Sequence, residues 1–119
     1  MNSLGRRRRT QPAPPHVIFE ALTQPRRPGA RAWLFLRADE REPRVLEAGS
    51  PHHVRWSSLW PDRADDTIRF GIQPDGGSGS SLEWELLCDG PEPTTEVLGH
   101  LRYRLNELIN RDLRLSFGA

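Results

Sequence analysis

Val54-Arg-Trp-Ser-Ser-Leu-Trp60 opens the stretch that decides the fold, and Ser81-Leu-Glu-Trp-Glu-Leu-Leu87 closes it. Between them lies Thr67-Ile-Arg-Phe-Gly-Ile-Gln73. Each segment alternates apolar and polar residues, the period of a strand with one buried face. Ile68, Phe70 and Ile72 then share a face, as do Leu82, Trp84 and Leu86, and Val54, Trp56 and Ser58. The other face carries Arg55, Arg69, Glu83 and Glu85, which can pair across strands. The turn Pro74-Asp-Gly-Gly-Ser-Gly79 is dense in residues that accept positive φ, so the last two strands form a hairpin. A sheet with one dry face needs a cover on that side.

The cover lies at the C-terminal end. From Thr94 or Thr95 to Leu115 the chain reads as a long helix, with Leu98, Leu101, Leu105, Leu108 and Ile109 in one stripe. A threonine N-cap and Glu96 in the first turn suit its start. Arg102, Arg104 and Asn106 fall at or beyond the edge of the stripe and read as a solvated face or as partners of the outer strands. Upstream, Pro14–Thr23 predicts a short helix with Val17, Ile18, Ala21 and Leu22 on one face. Arg6–Thr10, Ala32–Leu36 and Arg44–Ala48 read as further strands, and residues 1–5 as a disordered tail. The order is β-α-β-β-β-β-β-α, an α+β fold in one domain spanning residues 6–117.

Composition narrows the function. A length of 119 residues suits one domain. No apolar run approaches the ~20 residues that span a bilayer, and no apolar segment follows Arg6–Arg9 as in a secretory signal. Cys88 is the single cysteine, which excludes an internal disulfide and points to a reduced, cytoplasmic chain. A net charge of +1 argues against a generic nucleic-acid binder. All 17 basic residues are arginine, which reads as the coding bias of a GC-rich bacterial genome. The run Arg6–Arg9 is either a solvated, self-repelling segment or a phosphate-binding arm. His52 and His53 point to opposite faces of a strand and do not converge on a metal. Gly76-Gly-Ser-Gly79 lacks the lysine and helix of a phosphate loop. Ser57 and Ser58 have no triad context. No cofactor, nucleic-acid or membrane partner is implied.

Three segments carry a family resemblance. Ala13-Pro-Pro-His-Val-Ile-Phe-Glu-Ala-Leu-Thr23 resembles the opening helix A-P-x-x-V-[FW]-x-A-L-T-D of the START-like (SRPBCC, helix-grip) superfamily. Arg44-Val-Leu-Glu-Ala48 followed by Pro51-His-His-Val-Arg-Trp56 is similar to its paired strands, and Thr67–Leu87 to its late hairpin. The nearest branches are the bacterial polyketide-cyclase-like and Hsp90-ATPase-activator-homologue-like ones. The resemblance implies an antiparallel sheet curved around the long C-terminal helix, with a cavity between them for a hydrophobic small molecule. The usual second helix is trimmed or absent, since only Gln24–Arg31 is available for it.

Candidate site residues follow from that cavity. Trp56, Trp60, Phe70 and Trp84 either line a pocket for a greasy ligand or form a core. Leu101 and Leu105 face them from the helix, and Ser58 either orients a ligand or bonds its own backbone. Asp112 falls within the apolar stripe at ~100° per residue, so it is exposed, paired with an arginine, or aimed into the cavity as an acid or base. The leading expectation is a domain that binds a small hydrophobic ligand. An aromatase/cyclase-type enzyme and a homodimeric interaction module are the alternatives.

Overall fold

The computed structural model describes residues 1–118. Five strands and two helices follow in the order β1 (Asn2–Gln11), α1 (Pro15–Thr23), β2 (Val45–Gly49), β3 (His53–Ser57), β4 (Thr67–Pro74), β5 (Ser80–Cys88) and α2 (Thr95–Asn106). A π-helical stretch, Glu107–Leu113, continues α2. The strands form one antiparallel sheet in the order β1-β5-β4-β3-β2. The class is α+β, as the alternation requires.

The register places the faces as the sequence reads them. Val54 pairs with Phe70, Phe70 with Trp84, and Ile68 with Leu86. All these side chains are buried, with Ile18 and Leu22 of α1 and Leu101, Leu105, Leu108 and Ile109 of the C-terminal helix. On the wet face Arg69 lies opposite Glu85, and Glu85 opposite Arg6. Burial pushes the Glu85 carboxyl up, but hydrogen bonding from Ser3 and the charges of Arg69 and Arg6 hold it below the usual carboxylate range. Arg8 reaches Glu83 at 3.1 Å in the same way.

Two departures have physical causes. The first strand starts at Asn2, so residues 2–5 are no disordered tail: they pair with the end of β5 across an irregularity at Ser3/Gly5. Arg6–Arg9 is thus part of an edge strand. Its alternate guanidiniums meet the glutamates of β5, which offsets the repulsion expected of a free run. Second, Ala32–Leu36 is not a strand. Trp33 and Leu34 are neighbours and both are buried, so no alternation exists, and the Phe35 N–H turns back on the Trp33 carbonyl at 3.0 Å. As the sequence implies, no second helix forms between α1 and β2; Gln24–Arg44 runs as turns and irregular chain.

The hairpin turn and the helix start behave simply. Gly79 is required because a Cβ there would sit 2.4 Å from the Gln11 carbonyl oxygen. Thr94 Oγ1 accepts from the Val97 N–H at 3.2 Å, the N-cap bond that satisfies one orphan donor of α2. At the far end Gln11 Nε2 donates to the Ile109 carbonyl at 3.2 Å and the Arg114 guanidinium to the Thr10 carbonyl, tying helix to sheet.

Trp84 is 3% exposed on the covered face. Trp84→Ala is expected to cost about 3–5 kcal/mol, whereas Glu83→Ala on the wet face costs about 0–1 kcal/mol. Urea denaturation of the two variants checks the register, which fails if Glu83→Ala is the more damaging.

Candidate functional site

The segment Gln24–Arg44 shapes the candidate site. Pro25, Pro28 and Gly29 forbid a helix here. Gly29 has φ +81°, the left-handed region, and turns the chain back toward the sheet. Two short turns result, closed by Arg27 N–H to the Gln24 carbonyl at 3.1 Å and Ala30 N–H to the Arg27 carbonyl at 3.2 Å. The chain then plunges inward at Trp33, which is 2% exposed.

Trp33 stacks on Trp56 with ring centroids 6.0 Å apart and planes 19° apart. Trp56 in turn meets Phe70 edge-on at 4.7 Å, and its indole N–H donates to the Leu22 carbonyl at 2.9 Å. These rings fill the space between sheet and cover around Trp56. Ser58 Oγ donates to the Trp60 carbonyl at 3.2 Å and accepts from the Trp60 N–H at 3.0 Å, closing the strand end on itself. Trp60 donates its indole N–H to Glu40 at 3.3 Å. Trp84 and Leu105 border only a crevice of about 10 Å³, shared with Gly5, Arg7, Leu86 and Arg102. Leu101 is buried in the core.

A cleft lies instead behind Trp33. With a volume of about 250 Å³, it is walled by Val17 and Ala21 of α1, by Gln24–Trp33 of the irregular segment, and by Ser116 and Phe117 beyond the helix. Its lining mixes apolar surface with the donors of Gln24, Arg27 and Arg31. The indole N–H of Trp33 is buried and has no hydrogen-bond partner within the protein. Such an orphan donor is uncommon in a folded core and costs free energy until it is satisfied. Neither Trp33 nor this cleft is legible as a site in the sequence. The one signal available is the pair of Pro and Gly residues flanking a lone tryptophan.

Asp112 is buried at 9% exposure beside Leu108, Ile109 and Leu113, and it is paired with an arginine, one of the outcomes its place in the stripe allows. In the π-helical stretch the wider turn brings Leu113 onto the core face, fully buried, below Leu108 and Ile109. Asp112 accepts from Arg111 Nε at 2.9 Å and borders a shallow open depression with Arg31, Ala32, Phe35, Leu115 and Ser116.

The strongest electrostatic feature is one the sequence hides. Arg104 is 2% exposed and bridges to Glu40, not to the outer strands. Glu40 accepts from Arg104 Nη2 at 2.7 Å and Nε at 2.9 Å, from the Arg37 backbone N–H at 2.9 Å and from Trp60. Burial pushes the Glu40 carboxyl up, but these donors and the Arg104 charge hold it below its ordinary value. Arg104 also donates to the Phe35 carbonyl at 3.1 Å and to Glu107. This cluster clamps the irregular segment onto the helix and so fixes one side of the cleft.

Solved structures of similar shape put the architecture in context. No family model matches the sequence, and no curated protein does. The Aha1 dimer from Colwellia psychrerythraea matches with a TM-score of 0.69 and 16% identity, over 96% of this chain and 94% of that one. This chain has a helix-grip fold. CalU16 from Micromonospora echinospora matches at a TM-score of 0.59 and 18% identity over 95% and 81% of the two chains. An HSP90 activator from Plasmodium falciparum matches at 0.59 and 15% identity over 92% and 89%. At these identities the likeness establishes the helix-grip architecture, with its second helix replaced here by the turns of Gln24–Arg44.

Two outcomes test the clamp. Arg104→Met leaves the Glu40 carboxylate buried without its partner and is expected to cost about 3–5 kcal/mol. In the folded protein Glu40 titrates below its unfolded value, so on acidification the unfolded chain protonates first. The pair's stabilisation is therefore complete above the usual carboxylate range and is lost as pH falls through the depressed folded value. Denaturation midpoints taken from about pH 7 to about pH 3 should fall more steeply in the wild type than in Glu40→Gln. Parallel curves would remove Glu40 from the account.

Proposed function

We propose that this chain binds a small apolar molecule in the cleft beside Trp33. The observation that carries this is a concave, partly apolar cleft walled by Val17, Ala21 and Phe117 and backed by the buried Trp33. Trp56, Phe70, Trp84, Leu101 and Leu105 act behind it as a rigid support, Trp56 by stacking on Trp33. At about 250 Å³ the cleft is smaller than the ~300–1,000 Å³ usual for ligand pockets. It therefore suits a small molecule or one end of a longer one. Among the described residues its lining includes no Asp, Glu, His or Cys, so it offers binding and orientation rather than the proton transfer of a cyclase. Hydrophobic ligand binding by the helix-grip fold is in keeping with this reading.

The neutral dye Nile red supplies the test. It should bind saturably and quench tryptophan emission, and Ala21→Phe, which fills the cleft, should weaken it about tenfold or more, about 1.4 kcal/mol. A dye that fails to saturate, or that ignores Ala21→Phe, removes the cleft.

One further observation favours a homodimer as a second reading. Val45–Gly49 forms a sheet edge on which every residue is exposed, including Val45 at 41% and Leu46 at 47%. A free apolar edge is a template for pairing with a second strand. The matching Colwellia protein was solved as a dimer, which supports the same reading. Light scattering should give twice the chain mass for the wild type and the monomer mass for Leu46→Arg. A wild-type monomer at high concentration ends the reading.

A further inference from the structure

We infer that the outer edge of β1 is a binding row for the phosphate backbone of duplex nucleic acid, used without regard to base sequence. The run Arg6–Arg9 supplies half of the row, and strand alternation divides that run in two. Arg6 lies opposite Glu85 and Arg8 opposite Glu83 on the wet face, where they pair at 3.3 Å and 3.1 Å. Arg7 and Arg9 lie opposite Trp84 and Leu82, on the helix side, and both are exposed. Among the described residues no carboxylate lies within ion-pair distance of either.

The C-terminal helix adds two more guanidiniums to the same edge. Arg102 lies across the bare backbone of Gly5, where a Cβ would sit 3.0 Å from its Nε. It shares a crevice with Arg7, so two like charges stand together. Arg9 donates to the Arg8 carbonyl at 2.8 Å, and Arg114 donates to the Thr10 carbonyl. Arg102 and Arg114 also have no ion-pair partner among the described residues, and their helical neighbours Asn106 and Asn110 are uncharged. Four cations thus follow β1 from Gly5 to Thr10, a length of about 17 Å at ~3.4 Å per residue. The net charge of +1 hides them, because it sums acids that lie elsewhere on the chain.

The chemistry of the row selects its partner. A guanidinium is a planar fork of five donors, and one bond to a carbonyl leaves most of them for a phosphate. In about 17 Å one strand of a duplex presents about five phosphates, one per ~3.4 Å of axis. Between Gly5 and Thr10 the strand offers only glycine, arginine and threonine. It has no aromatic ring on which the bases of a single strand stack, and no apolar side chain of the kind that enters a lipid surface. An added peptide strand needs the outward carbonyls of β1, and two of those are already taken.

Fluorescence anisotropy with a labelled duplex is the test. Binding is expected at a dissociation constant of about 10–100 µM at physiological salt, with a log–log salt slope of about −3.6, from ~0.9 per phosphate neutralised. Duplexes of A·T and of G·C pairs should bind alike. The double variant Arg7→Gln, Arg9→Gln should halve the slope to about −1.8, and Arg102→Gln alone should bring it to about −2.7. The double variant Arg6→Gln, Arg8→Gln removes the same charge from the same run but from the wet face, and should leave the slope where it was. Circular dichroism checks that each variant is folded; if the Arg7, Arg9 pair cannot be replaced, the slope of Arg102→Gln decides alone. Equal losses in the two double variants make net charge the cause and overturn the row. A duplex that does not bind even at low salt overturns it too. Poly-glutamate or phosphatidylserine vesicles bound as tightly as the duplex overturn the nucleic-acid partner.

Discussion

A single buried ion pair organises the part of the molecule that could act on anything else. Arg104 and Glu40 lie at the junction of helix and irregular segment, both nearly inaccessible to water. Such a pair adds little net stability compared with a well-packed apolar one, but losing one partner is severe. Its value here is positional. The guanidinium reaches Phe35, and the carboxylate holds the Arg37 N–H and the Trp60 ring. With those points fixed, Trp33 has to turn inward and Phe35 outward. A segment without helix or strand gains a single conformation from charge geometry, and the cleft inherits its shape.

The π-helical stretch has a similar role at the other wall. An extra residue in the turn alters which side chains meet the sheet, so Leu113 joins Leu108 and Ile109 in the core. The chain beyond then reaches the cleft with Ser116 and Phe117. Widened turns of this kind occur often where a helix supports a binding surface. The geometry here gives that tendency a concrete cause.

Strand faces were legible because alternation is local. Ile68, Phe70 and Ile72, or Leu82, Trp84 and Leu86, announce their side within a few residues, and tertiary structure has only to agree. The hairpin turn and the threonine cap are equally local. Trp33 was not legible: it is flanked by the equally buried Leu34, so it offers no period, and its stacking partner Trp56 is far along the chain. Arg104 looks like a solvated helix residue until Glu40 is brought to it across 64 positions. Asp112 was legible as a carboxylate within the stripe, one of whose readings was pairing with an arginine, because helical spacing is local. The candidate site is made of the non-local features, and so the ligand position shifts from the aromatic face of the sheet to the irregular segment beside it.

The two borders of the sheet are unlike each other. Along β1 the outward carbonyls of Arg8 and Thr10 are taken up by the guanidiniums of Arg9 and Arg114, so these acceptors are not free for an incoming strand. Along β2 nothing comparable stands guard. A sheet with one sealed border and one open border can be extended once and no further. Any pairing of copies through these borders closes on itself as a two-fold unit, and the same asymmetry denies the chain the repeated addition that builds a fibre.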